Sequence, residues 1–151
     1  ALVAGRVPLL IEIKDQDGAL GPKVGPLERA VCADLAGYDG PVALMSFNPH
    51  AVAACAKAAP DIPRGLTTCP FDKADWQTVP EARLAELRPI PDLIRTGACF
   101  ISHQWDDLGS PVVGALKARG LPVLCWTIRS PEQEAQARKV ADQITFEGYT
   151  A

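Results

Sequence analysis

The residues most able to do chemistry lie in Leu9-Leu10-Ile11-Glu12-Ile13-Lys14, where a carboxylate and an amine sit two positions apart in an apolar run. Strand side chains alternate, so Glu12 and Lys14 share a face with Leu10, while Leu9, Ile11 and Ile13 share the other. A carboxylate beside a lysine suits a hard cation or phosphodiester chemistry, the amine reaching anionic oxygen; the bland alternative is a strand end emerging into solvent. His103 is a second candidate, placed beside Ser102 and Trp105 with Asp106 and Asp107 following. A contact to substrate and a local role in holding the loop are both open to it. His50, next to Pro49 in a helical first turn, reads as a solvated residue, and Asp106-Asp107 before Gly109 reads as a solvated turn.

These residues need a scaffold, and the chain supplies one by alternating short apolar runs with segments of helical period. Strands are expected at Pro8–Lys14, Val42–Phe47, Arg64–Thr68, Cys99–Trp105, Pro122–Ile128 and Gln143–Phe146. A helix from about Pro26 to Ala36 carries Val24, Leu27, Val31 and Leu35 on one side and stops at Gly37. Asn48-Pro49 opens a helix through Ala59, Ser110-Pro111 opens one ending near Gly120, and Ser130-Pro131-Glu132-Gln133 reads as a capping box. Residues 69–80 read as a longer loop holding Trp76, before a helix over 81–87. Six strand-helix units predict an α/β parallel sheet, doubly wound or barrel-like, in a single domain covering 1–151.

Composition narrows the function classes. The 151 residues are 48% apolar and 22% charged with net charge −3, which fits a globular protein and argues against a nucleic-acid binder. No apolar run is long enough to span a membrane. The five cysteines form no Cys-x-x-Cys pair, so structural zinc is not expected and a reducing, cytoplasmic location is. In parallel α/β folds function collects where strands end. Here Glu12 and Lys14 end the first strand, Ser46 and Phe47 the second, and Thr67 and Thr68 the third. Ser102 to Trp105 end the fourth, and Trp126, Thr127 and Arg129 the fifth, with Glu147 after the sixth.

Ile11-Glu12-Ile13-Lys14, then Ser46-Phe47, Arg64-Gly65-Leu66 and Val123-Leu124-Cys125-Trp126-Thr127-Ile128 resemble, in order, landmarks of the glycerophosphodiester phosphodiesterase family. The resemblance implies a TIM barrel, a calcium or magnesium cofactor, and hydrolysis of glycerophosphodiesters to glycerol 3-phosphate and an alcohol. It implies that Glu12 is a metal-binding carboxylate and that Lys14 lies beside the phosphate. Trp126 would line the substrate pocket, and Phe47 would form a pocket or barrel wall. Plain core packing is the alternative for both aromatics.

Departures accompany the match. The family's His-Arg-Gly strand, Glu-x-Asp metal pair and following His-Asp do not occur here, so the chain is expected to correspond to strands three to eight of a partial barrel, inactive by itself. Glu147 stands in place of the family's closing aspartate, and Arg129 replaces an asparagine, where it could contact a phosphate or alcohol group. Two other readings stay open: a non-catalytic partial barrel that binds a glycerol-phosphate-like ligand or self-associates through open edges, and an unrelated doubly wound domain with a structural Glu12–Lys14 pair.

Overall fold

The computed structural model describes residues 3–151. The elements run β1 (Leu9–Glu12), α1 (Pro26–Leu35), β2 (Val42–Ser46), α2 (Pro49–Ala58), β3 (Arg64–Thr68), α3 (Glu81–Leu87), α4 (Leu93–Thr96), β4 (Phe100–Gln104), α5 (Pro111–Ala118), β5 (Val123–Ile128), α6 (Pro131–Ala137) and β6 (Gln143–Phe146). A single 3₁₀ turn, Trp105–Asp107, follows β4. Strands alternate with helices and pair in parallel, an α/β fold of the TIM-barrel type. The chain forms two compact units, one holding the chain through Leu66 with Asp92–Ala98, the other Thr67–Pro91 with Cys99–Ala151.

In the first unit β2 pairs with β1, from Leu9 opposite Val42 to Glu12 opposite Met45, and with β3, from Leu44 opposite Arg64 to Ser46 opposite Leu66. Strand alternation sends Ile11 and Ile13 to the helical side. There Ile13, Cys32, Leu44 and Cys55 form a core packed by Leu27, Val31 and Leu35 of α1. The helical stripe read from sequence packs, partly buried, against this core, while the fully buried positions of α1 are Glu28 and Cys32. Gly25, at φ 130°, precedes α1, and its N–H donates to the buried Glu28 carboxylate at 2.5 Å. That bond satisfies a donor at a helix start where no side-chain cap is possible.

In the second unit β5 pairs with β4, from Ile101 opposite Val123 to Gln104 opposite Trp126, and with β6, with a register shift between Cys125 and Ile128. Its core includes Phe71, Val79, Leu84, Ile101, Val113, Val123, Cys125 and Ile128, all buried. Asp142 docks the start of β6: one carboxylate oxygen accepts from Val123 N–H at 2.8 Å and the other from Lys117 Nζ at 2.7 Å. These two bonds hold its carboxyl below the ordinary value. The α6 cap differs in detail from a reciprocal box. Ser130 Oγ accepts from Gln133 N–H, but Gln133 Oε1 accepts from Arg129 N–H at 2.7 Å, one residue before the cap.

Candidate functional site

The first unit carries Glu12, Lys14 and Phe47. Glu12 is partly exposed, Lys14 is mostly exposed, and their Nζ to Oε1 distance is 2.8 Å. Both lie on the face opposite the helical core, as the alternation predicts. A buried polar cluster fixes the loop that follows Lys14. Ser46 Oγ donates to Ile13 O at 2.6 Å and accepts from Asn48 N–H at 3.1 Å. Asn48 Nδ2 donates to Asp15 Oδ1 at 2.7 Å and to Gly21 O at 2.9 Å, while its Oδ1 caps α2 by accepting from His50 N–H at 2.9 Å. Asp15 Oδ2 accepts from Leu20 N–H at 3.0 Å. Asn48 thus does more than the helix-capping its position foretells: it ties the loop after β1 to the start of α2. Phe47 is half-buried immediately after β2.

The second unit carries His103, Trp126 and Arg129 and holds a cavity of about 400 Å³ at the ends of β4 and β5. Its walls are Trp126, Thr127 and Arg129 from the end of β5, Gln104, Trp105 and Asp106 from the end of β4, and Cys69, Asp75 and Trp76 from the loop after β3. Gln104 and Trp126 are register partners, which places both on one face. Trp126 Nε1 donates to Ser102 O at 3.0 Å, fixing the indole. Ser102 and Thr67 lie two residues earlier than Gln104 and Cys69 on those same faces, and their buried hydroxyls have no hydrogen-bond partner among the described residues. Cys69 is a protonated thiol, burial pushing it up to about 11.

His103 takes the other face of β4. It is buried, with Nδ1 2.8 Å from Thr68 Oγ1 and Nε2 2.9 Å from Asp107 Oδ2. Burial lowers its pKa, against the upward pull of Asp107. With both ring nitrogens engaged, the side chain ties the end of β3 to the 3₁₀ turn, and its neighbours Gln104, Trp105 and Asp106 reach the cavity instead. Arg129 is exposed and its Nε and Nη2 lie 2.8 and 2.7 Å from Glu147 Oε1. Trp76 and Asp75 lie in the long loop without periodicity, and only the presence of a tryptophan there could have marked it. Lys73 fixes that loop by donating to Gln77 O and Val79 O, each at 2.7 Å.

A family model of the glycerophosphoryl diester phosphodiesterase family matches residues 3–144. The chain belongs to that family. No curated protein matches it. Its likeness to solved structures is one of fold. An Oleispira antarctica phosphodiesterase, solved with the product sn-glycerol-3-phosphate, is 24% identical with a TM-score of 0.55, over 80% of this chain and 46% of that one. A Parabacteroides distasonis glycerophosphodiester phosphodiesterase is 20% identical with a TM-score of 0.57, over 92% and 52%. A Thermotoga maritima enzyme of the same name is 12% identical with a TM-score of 0.59, over 91% and 53%. The chain spans about half the length of these relatives.

A divalent cation needs more donors than this chain brings together. Calcium takes six to eight oxygens, and among the described residues no group of three His, Cys, Asp or Glu is placed to hold an ion. Glu12 is a single carboxylate already facing Lys14. The donor set of the described residues does not fit such an ion by itself.

Proposed function

We propose that this chain serves the hydrolysis of glycerophosphodiesters to glycerol 3-phosphate and an alcohol, as part of a larger active site. The family match over residues 3–144 carries the reading. In it, Lys14 brings positive charge to a phosphate oxygen from an exposed position at the end of β1, where such charge opposes the build-up on the transferring group. Glu12 orients that amine and would be one ligand of a calcium or magnesium ion, the remaining oxygens coming from outside the described residues. Trp126 and Phe47 are apolar walls, and Arg129 stands in the cavity lining near the alcohol with its charge paired to Glu147. His103, held at both ring nitrogens, is a positioning residue that keeps the β4 end in place.

Two associated readings belong to the same proposal. The five cysteines, none in a disulfide among the described residues and four of them buried, support a reducing, cytoplasmic setting. The free side of β1, together with Leu10 and Val7 exposed, supports self-association to complete the sheet. No helix among the described residues is long and apolar enough to cross a membrane.

The test is glycerol 3-phosphate release from glycerophosphodiesters with calcium or magnesium present, by the full-length gene product and by the 151-residue chain. Turnover by the former and none by the latter is expected. Failure of the full-length product on every glycerophosphodiester tried would overturn the proposal. Turnover by the 151 residues alone would overturn the part that places further machinery elsewhere.

A further inference from the structure

We propose that the cavity at the ends of β4 and β5 is the alcohol subsite and selects an alcohol bearing a quaternary ammonium. This rests on the phosphodiester reading above and adds the class of its leaving group. The chain has three tryptophans, and all three line this cavity. They come from three separate segments: Trp76 from the loop after β3, Trp105 from the 3₁₀ turn and Trp126 from β5. Indole faces carry negative electrostatic potential and attract cations, most strongly those with weakly held hydration shells. The volume, about 400 Å³, lies within the range of small-molecule sites.

Charge in the lining agrees with the aromatics. Asp75 and Asp106 are both exposed, and neither takes part in an ion pair among the described residues. Arg129 is the lone cation of the lining, and its guanidinium is turned to Glu147 at 2.7 Å. The lining therefore holds two carboxylates and one arginine whose charge is already matched. A primary ammonium would demand several directed acceptors in exchange for its water shell. A trimethylammonium group demands none, and a lining of aromatics and carboxylates is what it can use.

The walls are also fixed before any ligand arrives. Trp126 is held through its Nε1 to Ser102 O. Trp76 packs on buried Phe71 with ring centroids 5.5 Å apart, in a loop anchored by Lys73 and by Arg88 Nη2 donating to Phe71 O at 3.0 Å. A preformed cage loses little side-chain freedom on binding.

The experiment is a titration of the 151-residue chain with choline chloride at constant ionic strength, read by tryptophan fluorescence, with 3,3-dimethylbutan-1-ol as the uncharged isostere. Because every tryptophan lines the cavity, the signal reports this site. Saturable binding of choline is expected, with the isostere about tenfold weaker. The exposed-residue double variant Asp75→Asn/Asp106→Asn should bind choline several-fold more weakly and the isostere unchanged. Equal affinity for choline and isostere, or no saturation by choline in a chain with native circular dichroism, would overturn the assignment. The two readings fail separately. A full-length enzyme that hydrolyses glycerophosphoglycerol as well as glycerophosphocholine keeps the phosphodiester reading and overturns this one. Choline binding without hydrolysis of either does the reverse.

Discussion

Replacing Asn48 with alanine should destabilise the first unit far more than loss of a helix cap alone. The side chain is fully buried and makes three hydrogen bonds, to His50 N–H, Gly21 O and Asp15 Oδ1. Loss of the cap costs about 1 kcal/mol. Loss of the neutral bond to the Gly21 carbonyl costs about 1 kcal/mol. The bond to Asp15 is charge-assisted, but Asp15 is half-exposed and water can replace the amide, so about 1 kcal/mol is assigned to it. The total, about 3 kcal/mol, is a large share of the 5–15 kcal/mol typical of a whole domain. With a urea m-value of about 2 kcal/mol/M, the midpoint should fall by about 1.5 M.

The readout must follow the first unit, and tryptophan fluorescence cannot, since all three tryptophans belong to the second. Urea unfolding by far-UV circular dichroism, with hydrogen exchange over residues 14–21 and at the His50 amide, follows both the helix start and the loop. Asn48→Asp separates the contributions. It keeps an oxygen for the His50 amide but sets a second carboxylate against Asp15, so it should be no better than alanine at neutral pH and should recover partly in mild acid. A midpoint shift below about 0.5 M for Asn48→Ala at unchanged m-value, with residues 14–21 equally protected, would refute the linkage of loop to helix.

His103 gives stability a pH dependence with a definite sign. Its folded-state pKa lies below the ordinary 6.5, so between those two values the unfolded chain binds more protons and stability falls as pH falls, levelling off below the folded value. Thermal unfolding from pH 7.5 to 5 should show that slope, and His103→Gln should flatten it. Lys73→Met should release the loop of residues 73–79, seen as faster amide exchange there and a changed Trp76 environment, with little effect on hydrogen exchange in α5. In the full-length gene product, Glu12→Gln should lower kcat/KM for glycerophosphodiesters by about a hundredfold, since it releases the Lys14 amine that Glu12 holds for the phosphate; unchanged kinetics would remove Glu12 from the site. Sedimentation of the 151-residue chain at micromolar concentration should show dimers or larger species, and a sharp monomer would count against pairing through β1.

Much of the scaffold is legible because strand and helix periods differ so clearly. β3, α3 and β6 have the bounds expected, and the other strands lose one to three residues where the runs extend into turns. Two elements escape periodicity because each is about one turn long. α4 is held by Thr96 Oγ1 donating to Asp92 O at 2.7 Å and by an Arg95–Asp92 pair, and the 3₁₀ turn is held by Asp107 reaching back to His103. The site divides in the same way. Trp126 and Arg129 are readable because they end a strand, and the rule that function gathers there needs no tertiary knowledge. Trp76 and Asp75 are not, since their positions depend on Lys73 and Arg88 bonding to backbone carbonyls in a loop. His103 shows the limit of the strand-end rule: one residue of alternation sets Gln104 in the cavity wall and His103 against Thr68 on the other face.

The Arg129–Glu147 pair acts on the cavity through electrostatic placement rather than stability. Both side chains are more than half exposed, at 66% and 59%, and an ion pair so solvated is worth about 0–1 kcal/mol. Its consequence for the cavity is larger. An unmatched guanidinium in the lining would repel a cationic alcohol, whereas Glu147 cancels that field at short range and leaves Asp75 and Asp106 to set the sign. Glu147→Gln should therefore leave the melting temperature nearly unchanged while weakening choline binding, and Arg129→Gln should leave both nearly unchanged or strengthen binding. The opposite order, with Arg129→Gln the more damaging to choline, would mean that the guanidinium rather than the two aspartates recognises the ligand.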